Sequence, residues 1–337
     1  MDSLSQFALG AAVGVAVMGR RTAVWKAALW GGVCGTLPDL DALVDHGDPV
    51  LNMVLHRAHT HALFWQTLAS VPVAAAIARL QREGGFRRWW AAVWLIFVTH
   101  ALLDAMTVYG TQLARPFSDH PYGVGSIFII DPLYTLPLLV GLGVALVGRQ
   151  PGRWRWNSAG LALSTAYLGW SAAAQWHVQG VVREQLARRP DAPAIQRVLV
   201  TPAPLSTLLW RVVLMRPDGY EEGFYALADG GRPIRFERHA TDPALTAEAL
   251  AVPAAARIAA FSKGFFRVDA RDAEVRITDL RMGQEPNYVF SFAVAQRASP
   301  LQPITPREAG GRGDIDVGPA LHWLWRRAGG ADIDPPR

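Results

Sequence analysis

Apolar residues run in long blocks through the first half of the chain and in short alternating runs through the second. The blocks predict about six helices, near residues 5–19, 24–37, 62–80, 88–113, 132–147 and 158–178. Several are only marginally long for the ~20 residues that a bilayer requires, so oblique or partly embedded helices are expected among them. The first is built from small residues, Ala8, Gly10, Ala11, Ala12 and Gly14, which suit close helix packing in lipid. Residues 42–55 read as a loop carrying Asp45, His46 and Asp48.

From about residue 195 the pattern becomes strand-like. Arg197 to Thr201, Thr207 to Met215, Tyr220 to Leu227, Pro233 to Arg238, Val275 to Leu280 and Tyr288 to Ala295 are short runs bounded by Pro, Gly and Asp. Pro217-Asp218-Gly219 marks a hairpin turn. An alanine-rich helix is expected near 244–260 and a short Trp-rich one near 319–327. The predicted architecture is a polytopic α-helical membrane domain over 1–180, a linker over 181–194, a small α+β domain over 195–328 and a disordered tail over 329–337.

Composition supports the membrane assignment: 51% of residues are hydrophobic, only 18% are charged, and the mean hydropathy is positive at +0.14. The net charge of +5 does not form a nucleic-acid footprint, because the basic residues cluster between apolar blocks. Arg20, Arg21 and Lys26 follow the first block, Arg79, Arg82, Arg87 and Arg88 flank the third connection, and Arg149, Arg153 and Arg155 precede the last. Glu83 is the one acid among those connections. The positive-inside rule puts these alternate connections in the cytoplasm, and the N-terminus with everything after residue 178 outside it. Met1-Asp2-Ser3 lacks a basic leader, so the first block is expected to be retained. The single cysteine, Cys34, excludes an intrachain disulfide and a cysteine zinc cage.

Polar residues inside such blocks are costly, which draws attention to Thr99–Gly110. His100 and Asp104 stand four apart in an apolar helical run, on one face and one turn from each other. A hydrogen bond that merely fixes helix packing is one reading of the pair. The other joins it to Asp39 and Asp41, which follow Pro38, and to His56, His59 and His61 at the mouth of the next block. Imidazole and carboxylate are the ligands of zinc and similar divalent ions, and paired metals suit phosphoester cleavage. His59 is expected to face away from its neighbours. Asp39 alone would read as a turn residue, and Asp131 before Pro132 reads first as a helix N-cap. Arg57 is placed to bind a phosphate or to pair with an aspartate such as Asp41. His239 and His322, unclustered, read as ordinary surface or packing residues. The second half shows no nucleophile elbow, phosphate loop or repeat.

Leu37-Pro38-Asp39-Leu40-Asp41, His56-Arg57, Thr60-His61, His100-Ala101-Leu102-Leu103-Asp104, Thr107-Val108-Tyr109-Gly110-Thr111, Arg115-Pro116-Phe117-Ser118 and Asp131-Pro132 together resemble the YdjM-like bacterial inner-membrane proteins, described as membrane-bound metal-dependent hydrolases. Ile277-Thr278-Asp279-Leu280-Arg281 resembles the longer members, which carry a C-terminal extracytoplasmic domain. The resemblance implies a helical core similar to zinc-dependent phospholipase C and P1 nuclease, and one to three divalent ions, zinc foremost. Asp39, Asp41, His56, His61, His100 and Asp104 would be the ligands. It further implies hydrolysis of a phosphoester or phospholipid-type substrate at the membrane by a metal-activated water. Asp41 or Asp104 would act as base, and Arg57 would stabilise negative charge. Membrane lipid or a lipid-linked molecule is the expected partner, and no nucleic acid. Gln6 stands where many members have His, Val15 where others have Glu, Ala58 for Gly and Ala62 for Ser. The rival readings are a non-catalytic metal-binding membrane protein whose C-terminal domain binds a partner, and a transporter. The third, fifth and sixth blocks carry too few polar residues for the transporter.

Overall fold

The computed structural model describes residues 1–148, 152–310 and 316–336; Arg149 of the third basic cluster and Arg337 of the tail lie outside the described residues. The chain divides into two compact units: residues 1–44, 56–172 and 204–206, and residues 45–55, 173–203 and 207 onward.

The first unit is helical. Its α1 (Ser3–Met18) starts where the Asp2 carboxylate accepts the Leu4 and Ser5 amides at 3.1 and 3.0 Å, satisfying two donors that the helix leaves free. It lies against α2 (Val24–Thr36) along a line of glycines, Gly10 and Gly14 facing Gly31 and Gly35. A Cβ at Gly10 would stand 2.8 Å from the Gly35 Cα, so the two backbones approach as only glycine allows. The chain then passes through a 3-10 helix (Pro38–Leu43), α3 (Pro49–Leu55, within the second unit) and a second 3-10 helix (His59–His61). An antiparallel pair follows, α4 (Leu63–Gln81) and α5 (Phe86–Met106), joined through Gly84 and Gly85 at positive φ. The remaining helices are α6 (Pro132–Val147) and α7 (Trp154–Ala187), which begins in the first unit and ends in the second. The core joins Ala8, Ala12 and Val15 of α1 to Trp89, Ile96 and Phe97 of α5 and Leu138 and Leu142 of α6.

Among the described residues two helices, α4 and α5, are long and apolar enough to cross a membrane. Of the about six membrane helices expected, these two are the clear spans within a helical region, and α1 and α6 are shorter apolar helices. At 1.5 Å per residue the 16 residues of α1 or of α6 reach about 24 Å, short of the ~30 Å hydrocarbon core. The 34 residues of α7 include Asn157, Gln175, His177, Gln179, Arg183 and Glu184, too polar for a span. Helix α5 also stops at Met106 rather than near 113, because the Thr107 amide and hydroxyl both turn back to the Asp104 carbonyl, at 3.0 and 2.7 Å. Within the stretch 42–55, expected as loop, residues 49–55 form α3, capped by Asp48 accepting the Leu51 amide at 2.8 Å.

The second unit is rich in β-structure. One antiparallel sheet has the order β1 (Arg197–Pro202), β2 (Leu209–Arg216), β3 (Gly219–Ala226), β4 (Phe236–Ala240), with Pro217 and Asp218 as the predicted turn between β2 and β3. Helices α8 (Pro243–Ala249) and α9 (Pro253–Phe261) precede a second antiparallel sheet, formed by β5 (Phe266–Arg271), β6 (Glu274–Asp279), β9 (Ser291–Gln296) and β10 (Gln302–Glu308). A short hairpin, β7 (Gly283–Gln284) and β8 (Asn287–Tyr288), interrupts it. The chain closes with α10 (Val317–Ala328).

Strand β2 is buried on both faces: Val212 and Leu214 pack with Ala174, Val178 and Val182 of α7, while Val213 and Met215 pack with Phe265, Leu280 and Tyr288. The stretch read as a linker, 181–194, therefore begins inside α7, and Arg189 within it bonds Asp191 and Glu221. The tail, expected to be disordered, is held over its described part. Trp323 donates its indole N–H to the Ile333 carbonyl at 3.2 Å, and Arg235 pairs with Asp332.

Candidate metal centre

Three local structures converge in the first unit. Pro38 opens the 3-10 helix that presents Asp39, the 3-10 turn before α4 presents His61, and the last two turns of α5 present His100 and Asp104. One donor atom from each lies within 4.8 Å of the others. His61 Nε2 stands 3.0 Å from His100 Nε2, 3.1 Å from Asp104 Oδ2 and 3.3 Å from Asp39 Oδ1. His100 Nε2 stands 3.4 Å from Asp104 Oδ2 and 3.6 Å from Asp39 Oδ1. A tetrahedron with zinc bonds of 2.0–2.1 Å has edges of about 3.3–3.4 Å, and these five separations, 3.0–3.6 Å, lie close to that length.

The hydrogen bonds around the four residues fix which atoms face inward. His100 Nδ1 lies 2.7 Å from the Gly35 carbonyl, which accepts only from an N–H, so its Nε2 carries the lone pair. Thr60 donates its hydroxyl to Asp41 Oδ2 at 2.5 Å and so accepts from His61 Nδ1 at 2.9 Å, which leaves His61 Nε2 as a second lone pair. Asp39 Oδ1 and Asp104 Oδ2 are buried and make no hydrogen bond. Two imidazole lone pairs and two carboxylate oxygens thus face one another, an arrangement that repels itself unless a cation stands among them. A proton meets the same need. Burial alone would lower the His61 imidazole, but the carboxylates of Asp104, Asp39 and Asp41 beside it outweigh that and raise His61 to about 10. Burial likewise opposes Asp39, yet His100 and His61 hold its carboxyl below the usual range. The donor set fits a divalent metal ion.

Asp41 and His56 stand one layer out. Asp41 Oδ1 takes His56 Nδ1 at 2.7 Å, and Oδ2 takes the Arg57 amide at 3.0 Å and the Thr60 hydroxyl. With both oxygens engaged, Asp41 reaches the four-donor cluster only through Thr60 and His61. That is the outer-layer carboxylate that orients a ligating histidine. Arg57, at φ 61 and buried, brings Nε to 3.4 Å from Asp104 Oδ2 and its guanidinium over the Tyr109 ring at 5.1 Å. Its amide, rather than its side chain, pairs with Asp41.

Asp104 is gripped on its other oxygen by the Met1 amino group and by Gln6 Nε2 at 3.0 Å, and Gln6 also reaches the His100 carbonyl at 3.3 Å. The Gln6 position, where the resemblance leads one to expect His, thus lies within the site as a donor to a candidate ligand. Val15 is buried in the apolar core. His59 turns away, its Nε2 3.0 Å from Arg115 Nη1. Asp131 caps α6, accepting the Leu133 amide at 3.0 Å, and takes the Tyr167 hydroxyl at 2.9 Å. Sequence reasoning missed the Gly35 carbonyl, which carries no side-chain signal. It also gave Thr60, quoted only within the Thr60-His61 motif, no role of its own.

A family model described as YdjM inner membrane protein matches residues 1–178, which include every residue of the site. The chain is also similar to the uncharacterized protein YfhP of Bacillus subtilis (strain 168), 28% identical over 162 residues, covering 45% of this chain and 48% of that protein. The chain thus spans about half the length of the curated relative it matches. No solved structure matches it.

Proposed function

The chain belongs to the YdjM inner membrane protein family, and from that premise we propose that it is a membrane-bound, divalent-metal-dependent hydrolase of phosphoesters, with zinc the metal that its donors suit best. The observation that carries this reading is the four-donor cluster of Asp39, His61, His100 and Asp104, two of whose buried oxygens have no hydrogen-bond partner. When bound, a cation there supplies Lewis acidity to a reacting oxygen. The chain's own residues supply the rest. Asp41 and Thr60 hold the His61 ring, and the Gly35 carbonyl holds the His100 ring. Arg57 sets a guanidinium beside Asp104, where it offsets negative charge developing on a substrate. The Asp39 side chain is 18% exposed and that of His56 24%, which gives solvent and substrate an approach from that side.

A lipid-type phosphoester suits the location. His61 lies two residues before α4 begins, and His100 and Asp104 close α5, so the cluster sits at one common end of the two candidate spans. Phe64 makes edge-on ring contacts with Trp65 at 5.0 Å and Phe117 at 5.7 Å, and Phe117 is 80% exposed, as aromatic residues at a headgroup layer are. By the distribution of arginines this end faces outward from the cytoplasm, in a multi-pass arrangement with the C-terminal unit on the same side. The test is turnover of a phosphodiester panel, soluble and lipid, by the purified metal-loaded protein. Arg57→Ala should lower turnover while keeping metal, and Asp104→Asn should lose both.

A second reading has its own support: four protein donors complete a tetrahedron, as closed structural zinc sites do. Metal-replete protein that turns over no member of the panel would select that reading, a metal-binding membrane protein without catalysis.

A further inference from the structure

Helix α10 lies in the second unit, and its two faces differ in kind. One is anchored. Trp323 is buried edge-on against Phe224 at 5.0 Å, and Arg327 donates to Asp229 at 2.9 and 2.7 Å and to the Phe224 carbonyl at 2.9 Å. The other face carries Val317, Leu321 and Trp325, recurring every fourth residue as one stripe, with exposures of 63, 44 and 81%. A helix in contact with water alone has no reason to place a tryptophan at such exposure beside two aliphatic residues.

The charges around the stripe identify what covers it. Residues 317–328 contain no acid, and the exposed residues bordering the stripe are His322 and Arg326. Three carboxylates close to it in sequence or by contact are engaged: Asp229 by Arg327, Asp332 by Arg235, and Asp316 as the N-cap of the helix. An apolar stripe ending in tryptophan, with a basic border and no acid within the helix, is the composition of a helix lying in a membrane interface. A chain with two candidate spans has a bilayer as its permanent neighbour. We propose that α10 is an interfacial membrane helix, which lays Val317, Leu321 and Trp325 into the headgroup boundary of an anionic bilayer.

Site-directed fluorescence on the full chain tests this. Cys34 is buried, so single cysteines at Leu321→Cys, Trp325→Cys, Arg326→Cys and, as a remote control, Ala247→Cys on α8 label selectively. Each labelled protein is placed in nanodiscs of phosphatidylcholine with or without phosphatidylglycerol, using nitroxide-bearing lipid as quencher. Quenching at positions 321 and 325 should exceed that at 326 and 247 several-fold, and should fall when phosphatidylglycerol is omitted. Equal quenching at all four positions overturns the proposal. So does efficient disulfide cross-linking of Trp325→Cys between two copies without quenching, which would assign the stripe to a second chain. Unquenched, uncross-linked labels whose emission matches that in detergent overturn it as well.

Discussion

Replacing Gly10 by alanine should weaken metal binding even though Gly10 touches no ligand. The added Cβ would meet the Gly35 Cα at 2.8 Å and press on the Gly31 carbonyl, both of them backbone atoms of α2 that cannot rotate away. An ordinary carbon contact begins near 3.5 Å, so the helices must part by about 0.7 Å or more at that point. Overpacking of this kind costs about 1–3 kcal/mol in stability. The displaced residue is Gly35, whose carbonyl takes His100 Nδ1 at 2.7 Å. Moving it loosens the bond that fixes the His100 ring, and losing such an outer partner typically lowers metal affinity about 10- to 100-fold. Thermal unfolding in detergent and chelator competition for zinc measure the two effects. Gly143→Ala is the control, since nothing lies within 4 Å of a Cβ there. Unchanged unfolding temperature and unchanged zinc affinity in Gly10→Ala would refute the link between helix packing and the site.

Two further outcomes follow from the geometry. Asp41→Asn should reduce zinc affinity about 10- to 100-fold without abolishing binding, because Asp41 acts on His61 through Thr60; complete loss of metal would make Asp41 a direct ligand. In the C-terminal unit, Arg211 is buried against Glu222 and donates to the Leu280 carbonyl at 2.7 Å and the Tyr288 hydroxyl at 3.0 Å. Arg211→Met strands the Glu222 carboxylate and should destabilise that unit by about 3–5 kcal/mol, read as a lower denaturation midpoint with the metal content unchanged.

Much of this molecule is legible along its sequence because the decisive signals are local. His100 and Asp104 share a helix face by spacing alone, Asp131-Pro132 announces a cap, and Pro217-Asp218-Gly219 announces a hairpin. The sorting of six candidate ligands into four inner donors and an outer pair is not local. It depends on the 3-10 turn at His59–His61, which aims His61 Nε2 inward and gives Asp41 to Thr60 and His56. Strands β5 and β10 escaped for a different reason. Arg267, Asp269 and Arg271 alternate charge along β5, and Pro303 and Pro306 lie in β10, which prolines tolerate only because it is a sheet edge. Two of the expected membrane helices, α4 and α5, stand out by both length and apolarity, whereas apolar blocks as short as α1 and α6 do not reveal from sequence alone whether they span.

The central claim is that Asp39, His61, His100 and Asp104 hold one divalent ion, and metal content of the purified protein tests it most directly. Wild-type protein, freed of adventitious metal and reloaded with zinc, should retain a stoichiometric ion through gel filtration. His100→Ala and Asp104→Asn, with matching helical circular dichroism, should lose it. Full metal content in His100→Ala would contradict the account.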